Sequence, residues 1–169
     1  MKTIPTYTSP KMQDAVVQTL NALLTGYVEY LFGIANIGVD DKGFSYPSIY
    51  HNDGSSKNVM LFPDNKVKSF GFWEFNGANV LDDDEGVEYS LSFVFWGNLT
   101  RIDSTKRYDH TSEIEQNIIS VLKANGATDI DYTEDRVFSS YTKYAEESQT
   151  LMRPNTGFRI SLNIHDFIC

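Results

Sequence analysis

Two stretches in the middle of the chain constrain its fold more than any others. In residues 87–96, Val87, Tyr89, Leu91, Phe93 and Phe95 alternate with Glu88, Ser90, Ser92, Val94 and Trp96. A period of two held over ten residues marks a β-strand. In residues 69–75, Phe70 and Phe72 fall on one face of a strand, while Trp73 and Phe75 fall on the other. A strand with large rings on both faces needs cover on both. Each ring moved out of water is worth roughly 1.5–3 kcal/mol, so two or three left bare would burden a lone molecule. Cover has two possible sources. Either the 98–111 connection or the 141–157 segment folds over the rings, or a second subunit does. On the second reading Trp73, Phe75 and Trp96 are the candidate subunit interface, and head-to-tail repetition of such a contact builds a ring.

Around this centre the chain reads as helix, strands, helix, strands. Ser9 followed by Pro10 suits a helix start, with Ser9 as N-cap and Pro10 where its missing N–H costs nothing. Met12, Val16, Leu20, Leu23, Leu24, Tyr27 and Leu31 recur at spacings of three and four, predicting a helix to about Phe32 with Gly33 as its stop. Asp40, Asp41, Lys42 and Gly43 form a turn signal, and residues 46–50 a short edge strand, since Pro47 cannot donate to a central ladder. A turn over 51–56 and a short strand over 59–62 follow. Ser112 and Glu115 fit a capping box, opening a helix whose face is Ile114, Ile118, Val121 and Leu122, ended at Asn125-Gly126. Residues 130–132 and 137–141 are weaker strand candidates, and 144–152 is either a short helix or a loop. Phe158, Ile160, Leu162 and Ile164 alternate with polar residues in a closing strand.

The expected fold is therefore α+β: a largely antiparallel sheet with two main helices packed on one face. At 169 residues, with 41% hydrophobic and 22% charged residues, the chain suits one globular domain, residues 1–169, with 1–8 an extended N-terminal arm.

Charge and motifs exclude several kinds of chemistry. A net charge of −9 opposes a tight grip on nucleic-acid phosphates but suits a surface past which DNA slides. Cys169 is the lone cysteine, so no intrachain disulfide forms and no thiol nucleophile is expected. No secretion signal or membrane-length apolar run is visible, and a cytosolic origin follows as an expectation. The chain contains no phosphate loop, no dinucleotide fingerprint and no nucleophile elbow. His51, His110 and His165 lack metal-ligand spacing and read as surface or cap residues. The run Asp82, Asp83, Asp84 and Glu85 reads as a solvated loop between strands, with a divalent-cation or intersubunit salt-bridge role as its sharper alternative. The sequon Asn98-Leu99-Thr100 reads as chance. No catalytic residue, cofactor or metal site is assigned.

Three stretches carry a resemblance. They are Tyr46-Pro47-Ser48-Ile49-Tyr50, then Tyr108-Asp109-His110-Thr111-Ser112-Glu113-Ile114-Glu115, and finally Leu151-Met152-Arg153-Pro154 with Gly157-Phe158-Arg159-Ile160. With the order of elements they make the chain resemble the neck ring proteins of tailed bacteriophages, of the tail-terminator or tail-completion type. In its richness in Asn, Asp and Tyr it is similar to those of crAss-like phages. The resemblance implies a tail-terminator-like fold and a structural role rather than an enzymatic one. The chain would be a head–tail connector subunit in a homo-oligomeric ring, with the portal's twelve-fold symmetry, in the virion neck. Its partners would be portal or adaptor and tail proteins, with DNA in transient, non-specific passage and no membrane. Asp82, Asp83, Asp84 and Glu85, or Asp40 and Asp41, would then face the DNA channel. Two alternatives stay open on the residues alone: an acidic monomeric binding or inhibitor module, and a small hydrolase with a carboxylate pair among the 23 acids.

Overall fold

The computed structural model describes residues 12–49, 67–81, 86–135, 137–142 and 154–166. The expected arm, the Ser9–Pro10 helix start, the turn over 51–56, the strand over 59–62 and the segment 144–152 lie outside them, as does Cys169. In chain order the elements are α1 Met12–Leu24, β1 Tyr30–Val39, β2 Ser45–Ile49, β3 Ser69–Val80, β4 Val87–Asn98, α2 Leu99–Ile102, α3 Thr111–Ala124, β5 Ala127–Thr133 and β6 Asn155–Asp166. The six strands form one sheet in the order β2-β1-β3-β4-β6-β5. Every neighbouring pair is antiparallel except β1 and β3, which run parallel. The α+β class and the mostly antiparallel sheet match the reading of the sequence.

Strand β4 is the axis of the sheet, paired along its whole length with β6 and nearly so with β3. Alternation sends its side chains into two cores. On one face Tyr89, Leu91, Phe93 and Phe95 join Trp73, Phe158, Ile160 and Leu162 beneath α1 and α3, which contribute Val17, Leu20, Leu24, Ile118 and Leu122. Within this layer Trp73 tilts against Phe93 at 4.8 Å, and Phe95 stacks on Phe158 at 4.5 Å. The ring of Phe93 lies over Gly71, where any Cβ would collide with it, so that strand position needs glycine. Trp73 also resolves a polar problem: its indole N–H donates to Asn21 Oδ1 at 2.8 Å, and Asn21 Nδ2 donates to the Phe32 carbonyl at 3.0 Å. Asn21 is fully buried on α1, so both halves of its amide need these partners.

The other face carries Phe70, Phe72, Val94 and Trp96, with Tyr46 and Ile49 of β2. Its cover comes from residues 137–141, which place Val137, Phe138 and Tyr141 on the rings. Residues 137–140 form turns, where the sequence suggested a strand over 137–141. Arg159 of β6 pins this segment to the sheet. Its guanidinium pairs with Glu74 of β3 and donates to the Val137 carbonyl at 3.1 Å and to Ser140 Oγ at 3.2 Å. Thr142 continues the attachment through mutual bonds with Ser45.

Two sequence expectations are corrected. The first helix ends at Leu24, not near Phe32: Leu24 O accepts from Tyr27 N and Val28 N in a turn through Thr25 and Gly26. Tyr30 and Leu31 then pair with Phe70 and Gly71 in β1. The helical spacing of Tyr27 and Leu31 was coincidental, and sheet pairing of an aromatic, branched stretch overrode it. The second concerns α3, which starts at Thr111 with His110 at its N-cap and no side-chain cap bond there. Asp109 Oδ1 instead accepts from Thr111 N at 3.0 Å and from Thr111 Oγ1 at 2.6 Å. With the N-cap at His110, two residues before Ser112, Glu115 falls beyond the capping positions and onto the buried stripe with Ile118, Ile119 and Leu122.

Trp73→Phe removes the donor on which Asn21 depends. It is expected to cost about 1–3 kcal/mol, the penalty of leaving a buried amide unpaired, read as a lower urea midpoint at unchanged slope. Burial raises the pKa of Glu115, and the charge of Glu134 raises it further. A carboxyl whose folded-state pKa is raised costs the fold nothing while it is protonated in both states. The cost grows as pH climbs past the ordinary glutamate range. Glu115→Gln should therefore raise the melting temperature at pH 7, and the gain should vanish as pH falls below that range.

Candidate assembly surface

The sheet has two outer edges, and both are protected against added strands. β2 carries Pro47, which has no N–H to offer. β5 carries Asp129 and Asp131 and is broken by a register shift between Thr128 and Asp131, with Asp129 in the left-handed region at φ 48°. Charges, prolines and bulges are the usual devices that stop edge pairing.

A third edge lies inside the sheet, and it carries an irregularity between Phe75 and Gly77. β1 pairs with β3 only from Tyr30↔Phe70 to Ile34↔Trp73, with a shift in register on the way. From Ala35↔Ile49 to Val39↔Ser45 it pairs with β2 instead. The two strands run in the same direction, so each continues past the branch without the other. Among the described residues, Glu74, Phe75, Asn76, Gly77, Ala78, Asn79 and Val80 of β3 have a strand on the β4 side alone. Glu74 is the one charged residue in this stretch, and Arg159 neutralises it. Residues 35–39 of β1 carry no charge at all.

Exposed apolar side chains collect here. Val80 is 83% exposed, Ile37 67%, Val39 62% and Phe75 41%, with Phe44 beside them on the β1–β2 hairpin. Five of the nine large apolar residues exposed among the described residues thus lie past the branch. A strand edge with an apolar rim is the combination that protein-contact surfaces commonly share. The tip of the hairpin is acidic. Asp40 Oδ1 accepts from Lys42 N and Phe44 N at 3.0 Å each, closing the turn, and Asp41 is exposed.

The residues singled out in the sequence fall apart in space. Trp73 and Trp96 are both fully buried, on opposite faces, beneath cover supplied by the chain itself. Neither ring is left for a partner subunit, because residues 137–141 do for Trp96 what an interface was expected to do. Phe75 alone of the three is exposed, and it sits on the open edge. Asp82, Asp83, Asp84 and Glu85 lie outside the described residues. Ile37, Val39 and Val80 escaped notice in the sequence. The run Gly33-Ile34-Ala35-Asn36-Ile37-Gly38-Val39 holds a signal, branched residues spaced by small ones. Reading Leu31 as helical concealed it.

Two clefts lie elsewhere among the described residues. One cleft, about 380 Å³, is lined by Leu99, Thr100, Ser104, Lys106, Arg107, Tyr108 and Pro154. Here Glu113 accepts from Lys106 and from Tyr108 O–H at 2.8 Å, and Lys106 lies over the Tyr108 ring. The hydrogen bonds from Lys106 and Tyr108 hold the Glu113 carboxyl below its usual range, and the bond to Glu113 raises Lys106. This is a solvated ion cluster with each group held in its common charge state. A second cleft, about 370 Å³, is lined by Glu29 and Lys68, where the Glu29 carboxylate accepts from Lys68 N at 2.6 Å and Glu29 N–H donates to Ser69 Oγ at 3.0 Å. His110 is buried at the start of α3 and His165 lies 3.3 Å from Glu88, so these two histidines do not meet; His51 is outside the described residues. Among the described residues no group of three or more His, Cys, Asp or Glu is placed to hold a metal ion. No helix there is long and apolar enough to cross a membrane. The chain matches no family model, no curated protein and no solved structure.

Burial separates the aromatic residues from the branch residues energetically. Trp96→Ala should cost about 3–5 kcal/mol, as for other buried large rings. Val80→Ser should stay within about 0.5 kcal/mol of the parent, as for an exposed position. Paired urea titrations distinguish the two; comparable losses at both sites would contradict the placement.

Proposed function

We propose that this chain is a structural assembly protein which works through the surface where β1 leaves β3. The observation that carries the proposal is the apolar-rimmed edge of β3 past the branch, which among the described residues has a strand on the β4 side alone. Two further facts support an assembly role over catalysis. In the clefts the Glu29 carboxylate accepts from Lys68 N, and Lys106 and Tyr108 are paired with Glu113. The net charge of −9 opposes binding of phosphates.

The specific form proposed is the one the sequence resemblance implies: a non-enzymatic subunit of a ring in the neck of a tailed phage. Such a ring joins portal and head to tail, in contact with portal or adaptor and tail proteins. An acidic chain suits the wall of a channel through which DNA moves, since exposed carboxylates repel phosphates. Within this proposal Asp40 and Asp41, on the exposed hairpin tip, and Asp82, Asp83, Asp84 and Glu85 remain the candidates for the channel side.

The test is incorporation into particles. Purified virions should contain the chain at fixed stoichiometry relative to the portal. Particles carrying Ile37→Lys together with Val80→Lys should lose it by at least tenfold, although the substituted chain folds normally. Virions that lack the wild-type chain would overturn the neck assignment, and normal incorporation of the double variant would overturn the surface.

A further inference from the structure

Residues 137–142 do more than cover rings: they tie the β1–β2 hairpin to strands on the far side of the branch. At one end Val137 and Ser140 are bonded to Arg159 of β6, which Glu74 of β3 holds in place. At the other end Thr142 N donates to Ser45 Oγ and Ser45 N donates to Thr142 Oγ1, each at 2.8 Å. Ser45 pairs with Val39 next to the hairpin turn, so the tie reaches from β3 and β6 to the tip of the hairpin. Between its ends Phe138 and Tyr141 share one apolar cluster with Tyr46 and Ile49 of β2. The tie and the hairpin therefore bury each other.

Side chains, not a ladder, hold this closure together. Residues 137–142 belong to no strand of the sheet, and each anchoring bond above uses at least one side chain. β1 gives β3 the pairs Tyr30↔Phe70, Leu31↔Gly71 and Ile34↔Trp73 before it leaves with β2. The closed arrangement also leaves donors unmet. The indole N–H of Trp96 is fully buried in the core beneath the tie and has no acceptor, and neither has Arg159 Nε at the anchor. Trp73, on the helical face, has Asn21. A buried donor without a partner is costly, and contact with water on opening removes that cost. Elements with few ladder bonds and incomplete polar pairing open locally, ahead of the whole fold.

We infer that residues 137–142 and the β1–β2 hairpin, residues 35–49, form one latch that opens as a unit while the helical core stays closed. Opening frees Ile37, Val39 and Phe44, the hairpin's share of the surface past the branch, to move relative to β3. That consequence for assembly rests on the reading above, whereas the latch itself does not. A two-stranded hairpin released from its core is marginal in water, so its ladder amides exchange with solvent whenever the latch opens.

Residue-resolved amide hydrogen exchange on the full-length chain tests this from both ends of the tie. Arg159→Lys keeps a cation beside Glu74 but loses the planar fork that serves Val137 and Ser140. None of the Arg159 bonds reaches the hairpin. Exchange over 35–49 should nevertheless accelerate together with 137–142, by roughly tenfold, while amides of β4 and α3 keep their parent rates. Acceleration confined to 137–142, or spread equally to β4 and α3, would overturn the latch. Ser45→Cys with Thr142→Cys, in a Cys169→Ser background, closes the other end. Ser45 Oγ and Thr142 Oγ1 lie 3.2 Å apart, so the introduced sulfurs face one another. Oxidation should slow exchange over both segments by roughly tenfold, and reduction should restore it. Unchanged rates in protein whose disulfide is verified by mass would equally overturn the latch. These readouts come from the isolated chain, so their failure is distinct from failure of the assembly role, which shows in virion incorporation.

Discussion

Everything in this fold depends on covering a central strand that is apolar on both faces. β4 lies between β3 and β6, and its alternating side chains enter two separate cores. The helices can cover one face, because α1 and α3 each present a buried stripe. The second face must be sealed by something without regular structure, and residues 137–141 do this. Turns carry main-chain polar groups that need partners, which is why a charged side chain accompanies them. Arg159, held by Glu74, offers its donors to the Val137 carbonyl and to Ser140. One half-buried ion pair thus joins β3, β6 and the covering turn. Removing either partner would leave the other charge poorly solvated.

A second constraint acts on β1. Its first half pairs in parallel with β3, and its second half pairs with β2, so one strand serves two neighbours in succession. The change of partner opens the sheet and leaves the end of β3 without a neighbour on that side among the described residues. Residues that an uninterrupted sheet would hide are exposed as a result. The feature proposed to serve assembly therefore arises from topology rather than from a special motif. Irregularities at Phe75/Gly77 and Thr128/Asp131 accompany it, and bulges of this kind bend and twist strands away from simple pairing.

Much of the architecture was legible in the residue pattern. Strands β3, β4 and β6 were evident because period-two alternation of large apolar residues has few other readings. Pro47 announced an edge strand, and β2 is at the edge. The need for cover on both faces of residues 69–75 was equally clear. Errors arose where two periodicities competed over a short run. Tyr27 and Leu31 fall at helical spacing after Leu20 and Leu24, yet Thr25 and Gly26 end the helix and Leu31 belongs to β1. At α3 a shift of two residues, from Ser112 to His110 at the cap, exchanged a capping glutamate for a buried one, with Asp109 accepting from Thr111 N at the start. The candidate interface was a third case. Trp73 and Trp96 were identified as needing burial, and they are buried, but within the same chain.

By itself, then, the sequence determined the α+β class, the strands at the centre, the two-sided demand for burial and an acidic surface free of known catalytic motifs. These properties follow from short-range periodicity and from composition, which need no partner residue to be read. Tertiary structure alone decided which segment seals the second face, where β1 leaves β3 and which apolar residues stay in water. Those outcomes depend on pairings between residues far apart in the chain, such as Arg159 with Glu74 and Ala35 with Ile49. Local pattern carries no information about such distant pairings, because the free energy that selects them appears only when both partners are in place.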